Sequence, residues 1–299
     1  LSAAYFRGCC FLLFTIHYSP FTMLKFADLH VHTTASDGAF TPDRLLQAAA
    51  RRGLAAVGIT DHDSVDSLPA AIGLFDRYGV ETVPGVEISV EYEDAELHLL
   101  GYYLDYADED FRIELSRLKT AREVRARAML DKLAALGFPL NLADHLQGQM
   151  EGTIGRLHIA LALQRAGYVV TVQEAFAKYI GRKGPAYVPK PKLGPEAALG
   201  MIRRLGGVPV LAHPGNLGRD HLIPRLVEWG LQGVEVYYPS HSPEETQRYA
   251  TLAKRMKLLL TGGSDCHGPN KGEVLLGIVS VPYEAVEKLK EKAEENKKG

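Results

Sequence analysis

Hydrophobic and polar positions alternate along residues 24–31. Ala27, Leu29 and Val31 fall on one phase, Asp28 and His30 on the other, with His32 one step beyond. A period of two sends the classes to opposite faces of a β-strand, so the stretch predicts a strand. Thr41-Pro42 then supplies a helix cap and a proline for the first turn, and Leu45, Leu46, Ala49 and Ala50 follow at helical spacing as far as Gly53. Residues 55–59 predict a second strand, 67–78 a helix stopped by Gly79, and 80–86 a third strand. This strand–helix rhythm predicts a parallel α/β sheet or barrel, a fold that gathers its functional groups at C-terminal strand ends.

The rhythm breaks after Glu87. Residues 88–104 read as a hairpin around Asp94, with His98 on the return strand. From 108 to 191 the pattern is helical: Leu115, Leu118, Leu130, Leu133 and Leu136 mark one long helix, and shorter ones follow at 156–165 and 172–180. We therefore expect a helical, lid-like insertion over 108–191, set into a barrel made from 23–107 and 192–299. In the second part, strands at 208–212, 233–236 and 258–261 alternate with helices. A last helix from 283 becomes a Lys/Glu-rich solvated tail.

Residues 1–22 stand apart. Their apolar run, 9–16, is too short to span a bilayer, and neither a basic start nor a small-residue cleavage site accompanies it. Met23 immediately precedes the first strand, so 1–22 are expected to be a non-native or disordered extension, and the protein cytoplasmic. Composition changes little. A net charge of -2 leaves no overall basic footprint, so no stable DNA partner and no membrane partner are expected. Cys9, Cys10 and Cys266 cannot build a disulfide framework, which fits a reducing compartment.

The chemistry lies at the strand ends: His30, His32 and Asp37; His62; Glu87; His98; His213; Asp265 and His267. Two histidines on one strand could simply face solvent. Six of the eleven histidines, however, fall in this set. Imidazole and carboxylate suit Zn, Mn or Fe, and a carboxylate can bridge two ions.

Asp28-Leu29-His30-Val31-His32, Thr60-Asp61-His62, Pro84-Gly85-Val86-Glu87, Ala212-His213-Pro214 and Ser264-Asp265-Cys266-His267 resemble the successive motifs of the PHP (polymerase and histidinol phosphatase) superfamily of metal-dependent phosphoesterases. The match runs in order from about residue 24 to 279. The insertion further resembles the nucleoside 3′,5′-bisphosphate phosphatases and related RNA 5′-end exonucleases. The resemblance implies a distorted (β/α)7 barrel carrying two or three divalent ions, with Mn first and Fe or Zn as alternatives. It places one ion on His30, His32, Glu87 and Asp265, a second on Glu87, His98 and His213, and a third on Asp37, His62 and His267. Many members have a His where Asp37 stands, although a carboxylate there also occurs in the subfamily.

The implied activity is phosphate release from nucleoside 3′,5′-bisphosphates, trimming of short 5′-phosphorylated RNA, or both, by attack of a metal-bridging hydroxide. Other readings are a histidinol-phosphate type of phosphomonoesterase and a non-catalytic metal-binding module. By position, Arg156, His158 and Lys178 match residues that could grip a second phosphate; the first two open a helix after Gly155. His241 is a candidate proton donor. Asp28 and Asp61, each beside a candidate ligand, are expected to orient imidazoles or else to cap loops. The run Arg117, Lys119, Arg122, Arg125 and Arg127 reads as a solvated helix face, with an RNA groove as the alternative. Cys266 reads as a small buried residue.

Overall fold

The computed structural model describes residues 24–93, 95–142, 144, 154–189, 193–271 and 274–299. The proposed extension 1–22, Met23 and the hairpin tip Asp94 lie outside the described residues. Among the described residues, eight strands form one sheet: β1 (Phe26–Val31), β2 (Ala56–Ile59), β3 (Glu81–Tyr92), β4 (Ala95–Tyr102), β5 (Val208–Leu211), β6 (Gly233–Tyr237), β7 (Leu259–Gly262) and the two-residue β8 (Val281–Pro282). Their order is β7-β6-β5-β4-β3-β2-β1-β8. A parallel bridge between Val31 and Cys266 brings the chain beyond β7 back to β1 and nearly closes a barrel. Closure requires Gly263, because a Cβ there would lie 2.4 Å from the His30 nitrogen.

The strands are parallel except at two places. β4 runs antiparallel to both β3 and β5, and β8 runs antiparallel to β1. β8 was not legible in the pattern; two residues show no period.

The helices follow the same logic. α1 (Pro42–Arg51) starts where the Thr41 side chain accepts from the Arg44 N–H, and it buries Leu45, Leu46 and Ala49 against the barrel. Truncating Leu46 to Ala would cost about 2–5 kcal/mol. The expected helix at 67–78 is two short ones, α2 (Leu68–Ile72) and α3 (Phe75–Tyr78), divided around Gly73.

Between β4 and β5 the described chain is helical. α4 (Glu109–Ala135) begins at Asp108, whose carboxylate accepts from the Phe111 N–H at 2.8 Å, and Glu109 and Asp110 suit its positive end. α5 (Arg156–Arg165) buries every residue from Leu157 to Leu163, as a helix enclosed on all sides must. α6 (Val172–Ala175) runs into a π-helical turn at Phe176–Ile180. These helices share their own hydrophobic cluster, including Met129, Leu133, Leu161 and Ile180, apart from the barrel cores. The second half adds α7 (Pro195–Arg204), α8 (Pro214–Leu217), α9 (Ile223–Glu228), α10 (Pro243–Met256) and α11 (Glu284–Lys298).

Candidate metal centre and active-site cleft

The strand ends deliver the sequence-predicted residues to one place. Glu87, at 1% exposure, is the hub. Its Oε2 lies 3.3 Å from His30 Nε2, 3.2 Å from His32 Nε2 and 3.0 Å from His62 Nδ1. Its Oε1 lies 2.6 Å from His98 Nδ1 and 3.2 Å from His213 Nε2. Asp265 Oδ1 closes on His32 Nε2 at 3.0 Å and His30 Nε2 at 3.6 Å. Asp37 Oδ1 meets His267 Nε2 at 3.2 Å. His213 and Asp265 hold their positions at φ of 29° and 50°, a region costly for side chains other than glycine.

Among the described residues, three groups could hold ions: His30, His32, Glu87 and Asp265; His62, Glu87 and His98; and His32, Asp37, His62 and His267. The first has the residues of the expected set; the second has His62 where His213 was expected, His213 lying 3.2 Å from Glu87 Oε1 but in none of the three groups, and the third adds His32 to Asp37, His62 and His267. His62 and His32 each enter two groups, a sharing that sequence spacing did not distinguish. The donor chemistry fits divalent cations. Among the described residues, His30 Nε2, His32 Nε2, His62 Nδ1, His98 Nδ1 and Glu87 Oε2 are buried without a directed hydrogen bond. Such atoms converging within a few ångströms are costly unless a cation takes their lone pairs. Burial opposes charge on Glu87, but His62, His98 and His30 hold it well below the ordinary carboxylate range. Burial likewise opposes a proton on His32, yet Asp265 and Glu87 raise it to about 9.

The residues around this cluster correct several expectations. Asp28 accepts from the Ser264 N–H and Oγ–H and from the Gly277 N–H, so it fastens loops to β1. Asp61 accepts from Thr33, Ser36 and Ser67, and the Ser36 Oγ in turn lies 3.4 Å from His32 Nδ1. Glu235, fully buried on β6, sits against His30 Nδ1 instead. Tyr238 donates to Asp265 Oδ2 at 2.9 Å. Neither Glu235 nor Tyr238 was anticipated. The available signal was a carboxylate within the apolar run Gly233-Val234-Glu235-Val236.

His241 does not fit the proton-donor expectation. Its Nδ1 faces the Val236 carbonyl at 2.9 Å, and its Nε2 accepts from the Gly215 N–H at 3.1 Å. Both nitrogens are committed to backbone, and the ring pins the turn after His213.

Beside the ion-holding groups opens a cleft of ≈ 790 Å³, lined among others by Asp37, His62, His98, His267, Arg125 and Arg156. The solvated-face expectation fails for Arg122 and Arg125, which are 7% and 6% exposed. Arg122 pairs with Asp63 and Ser89. Arg125 donates through Nε to the Val188 carbonyl, while its buried Nη2 has no hydrogen-bond partner among the described residues. Burial, and then the neighbouring Arg156 guanidinium, lower the Arg125 pKa. Arg156 reaches Glu96 at 2.8 Å and lies over the Phe176 ring. His158 is buried and caps its own helix, its Nδ1 accepting from the Gly155 N–H. Lys178 lies outside the cleft, 60% exposed and paired with Glu174, so the grip expected of it is not met.

Comparison with known proteins agrees with this geometry. Residues 28–184 match the PHP domain family. The chain belongs to that family, and it is a metal-dependent phosphoesterase. It is 36% identical to the 3′,5′-nucleoside bisphosphate phosphatase of Chromobacterium violaceum, over 82% of this chain and 88% of that one. It is 34% identical to the 5′-3′ exoribonuclease Rnm of Salmonella typhimurium, over 81% and 85%. A solved structure from Bifidobacterium adolescentis, described as a metal-dependent phosphoesterase, superposes with a TM-score of 0.82 at 33% identity, covering 89% of this chain and 96% of that one. Among the described residues no helix is long and apolar enough to cross a membrane.

Proposed function

We propose that the protein releases phosphate from nucleotides carrying two phosphates, the nucleoside 3′,5′-bisphosphates, or trims short 5′-phosphorylated RNA by the same cleavage. The observation that carries this reading is the cleft, which brings Asp37, His62, His98 and His267 of the His/Asp/Glu cluster together with Arg125 and Arg156. A substrate with one phosphate at the ion-holding groups has a cationic seat for its other phosphate. The names of the Chromobacterium and Salmonella relatives support both versions of the substrate.

Divalent ions held by His30, His32, Glu87 and Asp265, by His98 and His213 with Glu87, and by Asp37, His62 and His267 would supply Lewis acidity and a water acidic enough to attack near neutral pH; manganese is the first choice. The protein's own part is orientation. Arg125 and Arg156, framed by the Tyr187 and Phe176 rings, present guanidinium edges to the non-reacting phosphate. Tyr238 keeps Asp265 turned toward His32. Asp63 and Ser89 hold Arg122, so its charge flanks the cleft without leaving it. No Ser, Cys or Asp nucleophile is needed. Cys266 is 1% exposed, and burial raises its pKa.

The test is phosphate release from a 3′,5′-bisphosphonucleotide, a 5′-phosphorylated oligoribonucleotide, histidinol phosphate and a nucleoside monophosphate, measured side by side. We expect the first two to lead by at least about tenfold in kcat/KM, the worth of one charge-assisted contact. Preference for histidinol phosphate would overturn the reading.

A further inference from the structure

Glu235 joins two elements of the centre through a single carboxylate. Its Oε1 lies 3.0 Å from His30 Nδ1, and its Oε2 accepts the backbone N–H of His213 at 2.7 Å. The side chain is fully buried. His30 is in the first ion-holding group, while His213 faces Glu87 from the other side.

A carboxylate oxygen can only accept here, so the proton on His30 belongs on Nδ1, and Nε2 keeps its lone pair toward Glu87 and Asp265. The second bond acts on a backbone under strain. His213 sits at φ 29°, and its N–H is held by Glu235 while His241 holds the following turn at Gly215. Without the Glu235 oxygen, the His213 backbone has one less reason to stay there.

We infer that Glu235 is a positioning residue for the metal centre, fixing the tautomer of His30 and the backbone of His213 together so that the two ion positions are built as a unit. The inference rests on the metal-centre reading above. It assigns Glu235 no contact with substrate.

The experiment is manganese binding to metal-free full-length protein, followed by calorimetry, with the melting temperature of the metal-free form measured alongside. Three proteins are compared: the parent, Glu235→Gln and Tyr102→Phe. Glutamine is nearly isosteric but offers one acceptor and one donor, so it cannot satisfy both partners. Tyr102 is the structural control, a buried hydroxyl donating to the Leu29 carbonyl at 2.8 Å beneath the same strands. We expect Glu235→Gln to weaken manganese binding about 10- to 100-fold at more than one position, the usual cost of losing an outer-shell partner. Tyr102→Phe should lower the metal-free melting temperature and leave manganese affinity within about twofold, because it touches no ion-holding group.

Unchanged manganese affinity in Glu235→Gln, or an equal loss in Tyr102→Phe, overturns the inference while leaving the metal centre intact. Failure of the parent to bind manganese, iron or zinc overturns the metal centre as well. Should Glu235→Gln not fold, imidazole nitrogen NMR of the parent loaded with diamagnetic zinc decides: a proton on His30 Nδ1 is expected, and an Nδ1 without one overturns the inference.

Discussion

Arg122 on α4 is ion-paired with Asp63 at the end of the loop after β2, and both side chains are under 10% exposed. The pair ties the helical segment to the barrel at the rim of the cleft. Burial opposes the charge on Arg122, and Asp63 more than restores it. Removing one partner leaves the other buried and uncompensated, a loss of about 3–5 kcal/mol. Arg122→Ala should therefore lower the urea midpoint sharply, whereas Arg117→Ala, on the exposed face, should leave it almost unmoved. Equal midpoints for the two variants would contradict the anchoring role.

Arg125 has the opposite character. Its Nη2 is buried and lacks a hydrogen-bond partner among the described residues. On the proposed function, Arg125→Ala should raise KM for the bisphosphonucleotide about 10- to 100-fold and change the monophosphate little, since about 1.5–3 kcal/mol of charged hydrogen bonding is lost only with the second phosphate. Similar KM changes for both substrates would dismiss the second-phosphate seat.

Glu87 faces five histidines. Chelation should abolish activity, and added manganese should restore it with at least two ions per chain. Glu87→Gln should reduce ion content to about one or fewer and kcat by more than about 100-fold, beyond the usual outer-shell loss. His62→Asn, which belongs to two of the three groups, should impair binding at more than one position. Full ion content in Glu87→Gln would be incompatible with its place at the hub.

A second cluster governs acid stability. Glu81 at the start of β3 accepts from Tyr283, Lys290 and Tyr103. Burial raises its pKa, but Lys290 and Tyr283 lower it further, for a net depression from 4.5. A depressed folded-state pKa means stability present above the unfolded value and lost as pH falls through the folded one. Glu81→Gln should cost about 1 kcal/mol at neutral pH, discounted for partial exposure. The difference from the parent should shrink as pH drops below 4.5. A difference independent of pH, in urea melts from neutral to acid, would count against the cluster.

The barrel, and the strand ends that carry the candidate ligands, were legible because both have local signatures. Strand alternation at Asp28–His32 and short apolar runs ending in His62, Glu87 and His213 encode strand and terminus together. What was not legible depends on contacts distant in sequence. Glu235 and His30 are 205 residues apart, and Arg122 and Asp63 are 59 apart. Periodicity on α4 could not say which arginines turn inward, because long side chains can cover apolar surface from either flank. Lys178 stands at a position matched through the resemblance and His241 is a candidate by residue type, but their partners Glu174, Val236 and Gly215 decide their roles.

The reversed direction of β4 sets a length requirement. A strand running down the barrel delivers the chain to the face opposite the cleft, where the Asp105 N–H bonds the Leu205 carbonyl at the end of α7. The chain must then climb back, and α4 is the ladder: from its cap at Asp108 to Arg122 it rises about 20 Å. Arg122 and Arg125 are thus set at a height measured in helical turns. Deleting three or four residues between Phe111 and Leu118 would keep the helix's inward face yet lower both arginines by about 5 Å, one turn. On the proposed function, the reach of these arginines toward substrate is set by the length of a helix that begins at the far end of the barrel.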